Sequence, residues 1–280
     1  MGEIHMHRKK FWGVLIGVVV VLGLILVGGR LLTDLMGKPT VVSEVSNKIA
    51  PNHVFQTYKY PYKLKVTNRK AKLYSGPQGT PGVRTFGSVK SLNLSNNIVG
   101  KQRKDLNNKR YEGYIQFSQH HHSYWISCQD VDFRDLNTLK STNPQVEKAI
   151  TTGLSLVGHS KYNLGGGRNL TDIQRKSFDC SSFIRYCYSK AGVDVGSLDS
   201  VTTFKLINEG TAVKFSNMQR GDIFFFSNAK QGTNYHVAIY LGDNLFLHDA
   251  PTSDTHGVAV STLYHKNWLS AVNGSVRRLA

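Results

Sequence analysis

Acidic residues are scarce in this 280-residue chain: 18 Asp and Glu stand against 35 Lys and Arg, a formal charge of +17. Cysteine is scarcer. Three cysteines rule out a disulfide-stapled miniprotein, and their odd number leaves at least one sulfur without an intramolecular partner. No Cys-x-x-Cys, no His-Glu-x-x-His and no calcium-loop spacing occurs. Glycines 165–167 lack the Lys-Ser/Thr of a phosphate loop, so neither a metal nor a cofactor is expected. No internal repeat is evident. What is present excludes a wholly disordered chain: 40% hydrophobic residues, 13 Tyr, 13 Phe and 3 Trp suffice to bury a core.

The positive charge is concentrated. Residues 31–140 hold 17 basic against 7 acidic residues, whereas residues 141–280 hold 14 against 10. The middle of the chain therefore suits an anionic partner, and charge alone does not choose among nucleic acid, membrane and cell wall.

The amino terminus narrows the choice. Residues 11–29 carry no charge, and a helix of that length spans about 28 Å, close to a bilayer's hydrocarbon core. Arg8, Lys9 and Lys10 precede it, which places residues 1–10 in the cytoplasm and the rest outside. No A-x-A-like cleavage site follows, so a retained single-pass anchor is expected rather than a signal peptide. No nucleic-acid partner is expected. Residues 30–52 read as a stalk.

Residues 53–135 read as a small all-β domain of short strands, with a turn-rich loop at residues 76–82 and strands at 62–67, 111–117 and 123–127. His120, His121 and His122 suit a polar hairpin tip, because successive strand residues alternate faces and cannot converge on one metal.

The chemistry lies in residues 144–280. A helix starts at Asn143-Pro144, a glycine-rich loop covers 161–169, and Phe178-Asp179-Cys180-Ser181-Ser182-Phe183 opens a second helix. Cys180 falls at that helix start with Asp179 as its cap, where free N–H groups favour a thiolate and stabilise an oxyanion. Cys187, two turns further on, and Cys128, in a β segment, read as ordinary packing. The candidate bases follow on strands. A three-residue loop at 242–244 would pair Leu241 with Leu245 and set His248 opposite Ala238, so that His236 and His248 share one face. His236 is then the base for Cys180, and His248 fixes its tautomer. Asp249 is predicted on the opposite face, and His159, His256 and His265 read as structural.

These segments, with Arg-Gly-Asp-Ile at 220–223, His-Val-Ala-Ile-Tyr-Leu-Gly at 236–242 and Phe-Leu-His at 246–248, resemble the NlpC family of cell-wall cysteine peptidases. The resemblance implies an α+β, papain-like domain with the Cys helix packed on an antiparallel sheet. It implies cleavage of peptidoglycan stem peptides, typically after D-glutamate, with Cys180 as nucleophile, His236 as base and His248 as orienter. Tyr162, Asp179 and Ser181 match positions lining the family's substrate site. Ser182 and Leu164 depart from the frequent Gly and Trp, which leaves bond preference open. Residues 53–135 loosely resemble the bacterial SH3-like domains that accompany wall hydrolases. The expected partners are peptidoglycan and anionic wall polymer, with the catalytic domain on the outer side of a bacterial membrane. Two other readings compete: a catalytically silent scaffold in an envelope-spanning secretion or conjugation machine, and a related amidase or acyl transferase.

Overall fold

The computed structural model describes residues 52–107 and 112–280. The expected cytoplasmic tail, the anchor at 11–29, all but the last residue of the stalk, and Tyr111 lie outside the described residues. Among the described residues no helix is long and apolar enough to cross a membrane. Asn52–Ala280 forms one compact unit.

Its first part is all β. Strands β1 (His53–Lys59), β2 (Lys63–Val66), β3 (Lys72–Tyr74), β4 (Thr85–Ser88), β5 (Asn97–Asn107), β6 (Glu112–Gln119), β7 (His122–Ser127) and β8 (Val131–Phe133) form one sheet. The order is β4-β3-β7-β6-β5-β2-β8, with β1 also paired to β5. Alternation explains β2: Leu64 and Val66 are buried while Lys63 and Lys65 face solvent. His120 and His121 form the two-residue turn joining β6 to β7, both at positive φ, so they cap a hairpin as the sequence suggested.

The second part is built around an antiparallel sheet. Its elements are α1 (Pro144–Leu154), β9 (Lys161–Tyr162), α2 (Leu170–Gln174), β10 (Ser177–Phe178), α3 (Cys180–Lys190), α4 (Thr203–Leu206), β11 (Thr211–Val213), β12 (Ile223–Asn228), β13 (Gly232–Gly242), β14 (Leu245–Asp249), β15 (Val258–Thr262), α5 (Lys266–Ala271) and β16 (Val272–Arg278). The large sheet runs β11-β16-β12-β13-β14-β15, which is the expected α+β arrangement. Asn143 caps α1, its side-chain oxygen accepting from the N–H groups of Gln145 and Val146, with Pro144 at the first helical position where its missing N–H costs nothing. α3 buries Phe183, Ile184, Cys187 and Tyr188. They share one apolar cluster with Val237, Ile239 and Leu247 of the sheet. The alternate sheet residues Phe224, Phe226, Ala238 and Phe246 form a separate cluster with Ala271, Val276 and Trp268. Full burial of each large apolar side chain contributes about 1.5–3 kcal/mol, so both faces of the sheet hold it in place.

The two parts share a core. The cluster around α3 continues through Leu245 to Tyr60, Tyr62 and Leu64 of the all-β part. Polar contacts fasten the same seam: the Tyr62 hydroxyl lies 2.7 Å from Thr262 Oγ1 and donates to the Asp243 carbonyl at 3.1 Å. Arg103 reaches both oxygens of Asp254, at 2.8 and 2.5 Å, and Asp105 Oδ1 at 2.8 Å. Asp243, Asp254 and Thr262 all belong to the turn and strands around β14 and β15, so the all-β part grips the hairpin that carries His248.

Candidate active site

The β13–β14 turn sets the geometry. The sequence suggested a three-residue loop. Instead Asp243 and Asn244, both at positive φ, make a two-residue turn, Gly242 pairs with Leu245, and Leu241 is bulged out. Gly242 sits at φ +95°, a conformation costly for any other residue. The bulge adds back the one residue that the shorter turn removes. The ladder beyond it runs Tyr240↔Phe246 and Ile239↔Leu247. Continued, that register sets His248 across from Ala238 and diagonal to His236, the arrangement anticipated from the sequence.

The two histidines meet. His236 Nε2 lies 2.9 Å from His248 Nδ1, and His248 Nε2 lies 2.9 Å from Ser261 Oγ. Both rings pack against Trp268 and against Phe226 or Phe246. Burial pushes His236 down to about 3, with the Asp179 charge opposing it, and burial drives His248 well below the usual range. Both are therefore neutral at rest. Ser261 was not anticipated. Its place follows from the β14–β15 register, Phe246↔Ser261 and His248↔Ala259, which an irregular segment at 250–257 hides from the sequence.

Cys180 is the first residue of α3 and is buried. Asp179 caps the helix in a reciprocal box: Asp179 Oδ1 accepts from the N–H groups of Ser181 and Ser182, and Ser182 Oγ accepts from the Asp179 N–H. The cap thus takes two of the N–H groups that the sequence offered to an oxyanion, leaving the Cys180 N–H. Burial, aided by the Asp179 and Asp249 charges, pushes the Cys180 thiol up to about 12. The nearby backbone N–H groups of Val237 and Ser181 pull the other way. The helix start therefore does not give a resting thiolate. Cys128 is pushed equally high by burial, and burial drives Cys187 well above the usual thiol range, so acidity does not set Cys180 apart. Its place does: it is the first residue of α3, directly after the Asp179 cap, and the backbone of Val237, the residue after His236 on β13, acts on its thiol.

The other anticipated residues surround this point. Tyr162 on β9 pairs beside Phe178, and burial, with the Cys180, Asp179 and Asp249 charges adding, pushes its hydroxyl up to about 12. Asp179 and Ser181 are already engaged: Asp179 Oδ2 accepts from Gly165 N–H at 3.1 Å and from Arg168 at 2.7 Å, and Ser181 Oγ donates to Asp179 Oδ1 at 2.9 Å. Burial alone would raise the Asp179 carboxyl, but Arg168 and the cap N–H groups outweigh it and hold the group below the usual carboxylate range. Asp249 is fully buried, and neither of its oxygens has a hydrogen-bond partner among the described residues. Burial and the Asp179 charge push it up to about 8, so it is largely a neutral acid at pH 7. His265 serves the seam, packing edge-on to Tyr58 and lying 3.6 Å from Asp105.

Known proteins share this part of the chain. Peptidoglycan DL-endopeptidase CwlO of Bacillus licheniformis is 45% identical over 143 residues, which cover 51% of this chain and 30% of that protein. Murein DD-endopeptidase MepS/murein LD-carboxypeptidase of Escherichia coli K12 is 29% identical over 121 residues, covering 43% of this chain and 56% of that protein. A crystal structure of a NlpC/P60 family protein from Bacillus cereus aligns over 79% of this chain and 64% of its own, at 21% identity and a TM-score of 0.40. The chain thus spans about a third to a half of the two curated relatives' lengths. The segment that carries Cys180, His236, His248 and Ser261, residues 159–277, matches the NlpC/P60 family.

Proposed function

We propose that the protein is a peptidoglycan endopeptidase that cleaves stem peptides by a Cys-His-His thiol mechanism, at the bond after D-glutamate. The observation that carries this reading is the relay His236–His248–Ser261, at two successive 2.9 Å contacts, beside a cysteine at a helix start. Its proton placement follows from the network. His248 Nε2–H donates to Ser261 Oγ, which leaves His248 Nδ1 to accept from His236 Nε2–H. The lone pair of His236 Nδ1 is then free for the thiol proton.

Thiol and imidazole are both neutral before substrate arrives, so the proton moves as sulfur attacks the carbonyl. The Cys180 N–H stabilises the oxyanion, and the His236 imidazolium gives its proton to the departing amine. Water then hydrolyses the thioester with His236 again as base. Asp179 and Ser181 shape the substrate side together with Tyr162. The three side chains Cys180, His236 and His248, held in one register, speak against a silent scaffold, which has no use for them.

Residues 11–29 anchor the chain in the bacterial membrane, with the described residues on the wall side. The all-β part, whose sequence loosely resembles bacterial SH3-like domains, presents its excess of Lys and Arg to anionic wall polymer. The test is digestion of purified peptidoglycan by the 280-residue chain in detergent, with Cys180→Ala alongside and products read by mass spectrometry. Stem fragments from the wild type alone are expected, and fragments from both proteins would remove Cys180 from the mechanism.

A further inference from the structure

Arg168, in the glycine loop between β9 and α2, was not singled out by any sequence motif. A guanidinium has five N–H donors, and here all five are spent. Nε donates to the Val201 carbonyl at 3.1 Å; Nη1 donates to the Gly166 carbonyl at 3.0 Å and to Asp179 Oδ2 at 2.7 Å; Nη2 donates to the Val201 carbonyl at 2.7 Å and to Ser181 Oγ at 3.1 Å. The Arg168 side chain is 20% exposed and that of Asp179 is 7% exposed, so the ion pair is largely withdrawn from water.

An arginine beside a hydrolase's nucleophile would ordinarily be read as an anchor for a substrate carboxylate. Arg168 has no donor left for one. Its acceptors lie on three separate segments: its own loop, the cap and first turn of α3, and the chain leading into α4. The loop is also pressed onto that first turn, since a Cβ at Gly167 would sit 2.5 Å from Ser182 Oγ.

We infer that Arg168 is a positioning residue for the nucleophile: it offsets part of the charge of Asp179, so that the residue capping the Cys180 helix opposes formation of the thiolate less than a bare carboxylate would. The inference rests on the reading of Cys180 as nucleophile. The physical problem it addresses is general. A carboxylate is a good helix cap, but one residue before a cysteine it repels the anion that catalysis must form. Asp179 does raise the Cys180 thiol, second only to burial. Besides Asp179, the charge that bears on both the thiol and Tyr162 beside it is that of Asp249 on β14, and Asp179 bears also on the His236 ring. Asp249 is held neutral by burial at pH 7. Asp179 is thus the full negative charge near the sulfur, and Arg168 is the cation bonded to it.

The experiment follows alkylation of the 280-residue protein by iodoacetamide at several fixed values between about pH 6 and 9. Trypsin separates Cys180, in peptide 177–185, from Cys187, in peptide 186–190, so mass spectrometry reads the Cys180 rate alone. Arg168→Met is expected to slow labelling about tenfold at every pH, the effect of one pKa unit. Asp179→Asn keeps a capping oxygen and removes the charge. By itself it is expected to label faster than the wild type, and in the Arg168→Met background it should restore the rate to within about threefold of wild type. A purely structural role gives no such recovery. Overturning results are wild-type labelling of Arg168→Met, a double variant as slow as Arg168→Met, or slower labelling of Asp179→Asn alone; the last needs no Arg168 variant to fold. Peptidoglycan cleavage by Cys180→Ala would instead sink the underlying reading of the nucleophile.

Discussion

Two buried groups in the site titrate far from their ordinary values, in opposite directions. His236 is lowered to about 3 by burial, so it stays an unprotonated base where an ordinary histidine has become charged. The acid limb of kcat/KM for stem-peptide cleavage should therefore fall below about pH 5, against about 6.5 for an unperturbed imidazole. A limb near 6.5 would show a solvated base. His236→Ala should lower kcat by about 10²–10⁴, the span of general-base effects, while Ser261→Ala, which removes only the far end of the relay, should cost about tenfold or less. Asp249 is the opposite case, raised to about 8 by burial. Because its folded pKa exceeds its unfolded value, the protein loses stability as pH rises through the interval from about 4 to 8. Asp249→Asn mimics the neutral acid. Its melting temperature should match the wild type near pH 4 and exceed it increasingly toward pH 8, at about 2–4 °C per kcal/mol for a chain of this size.

At the scale of single elements, the turn after β13 decides whether there is a site at all. Gly242→Val forces a branched residue into φ +95° and should cost at least about 1–2 kcal/mol, read as a lowered urea midpoint. Removing the bulge rather than straining it would shift β14 by one residue and turn His248 away from His236. The Cys helix, its Asp179 cap and the strands bearing both histidines were legible in the sequence because each is written locally, in a cap, a period-two alternation or a glycine turn. The register was legible only in its result. A three-residue loop and a two-residue turn with one bulged residue displace β14 equally, and residues 242–244 alone do not distinguish them. Ser261 and Arg168 were not legible. Ser261 reaches His248 through pairing fixed beyond an irregular eight-residue segment, and the acceptors of Arg168 come from segments as far off as Val201. The reading of the helix start as a source of thiolate also missed, because burial of the sulfur outweighs the N–H groups around it.

At the scale of the whole molecule, the all-β part is a fixed neighbour of the catalytic hairpin as well as a basic surface. Arg103 is buried and bonds to both Asp105 and Asp254, so Arg103→Met removes a cation shared by two carboxylates and should destabilise the protein by about 3–5 kcal/mol. A loss under about 1 kcal/mol in denaturant unfolding would mean that the seam is a loose contact. The proposed wall binding by the same part rests on its charge, so retention on purified wall should fall as salt rises, whereas unchanged retention would point to uncharged pockets. The account stands or falls on covalent chemistry at one sulfur. The most direct measurement is to quench the reaction of the protein with a stem peptide in acid, digest it with trypsin and weigh the fragments. The account predicts that peptide 177–185 gains the mass of the acyl half of the substrate. Product accumulating with peptide 177–185 unmodified, or the same mass gained on peptide 186–190, would contradict it.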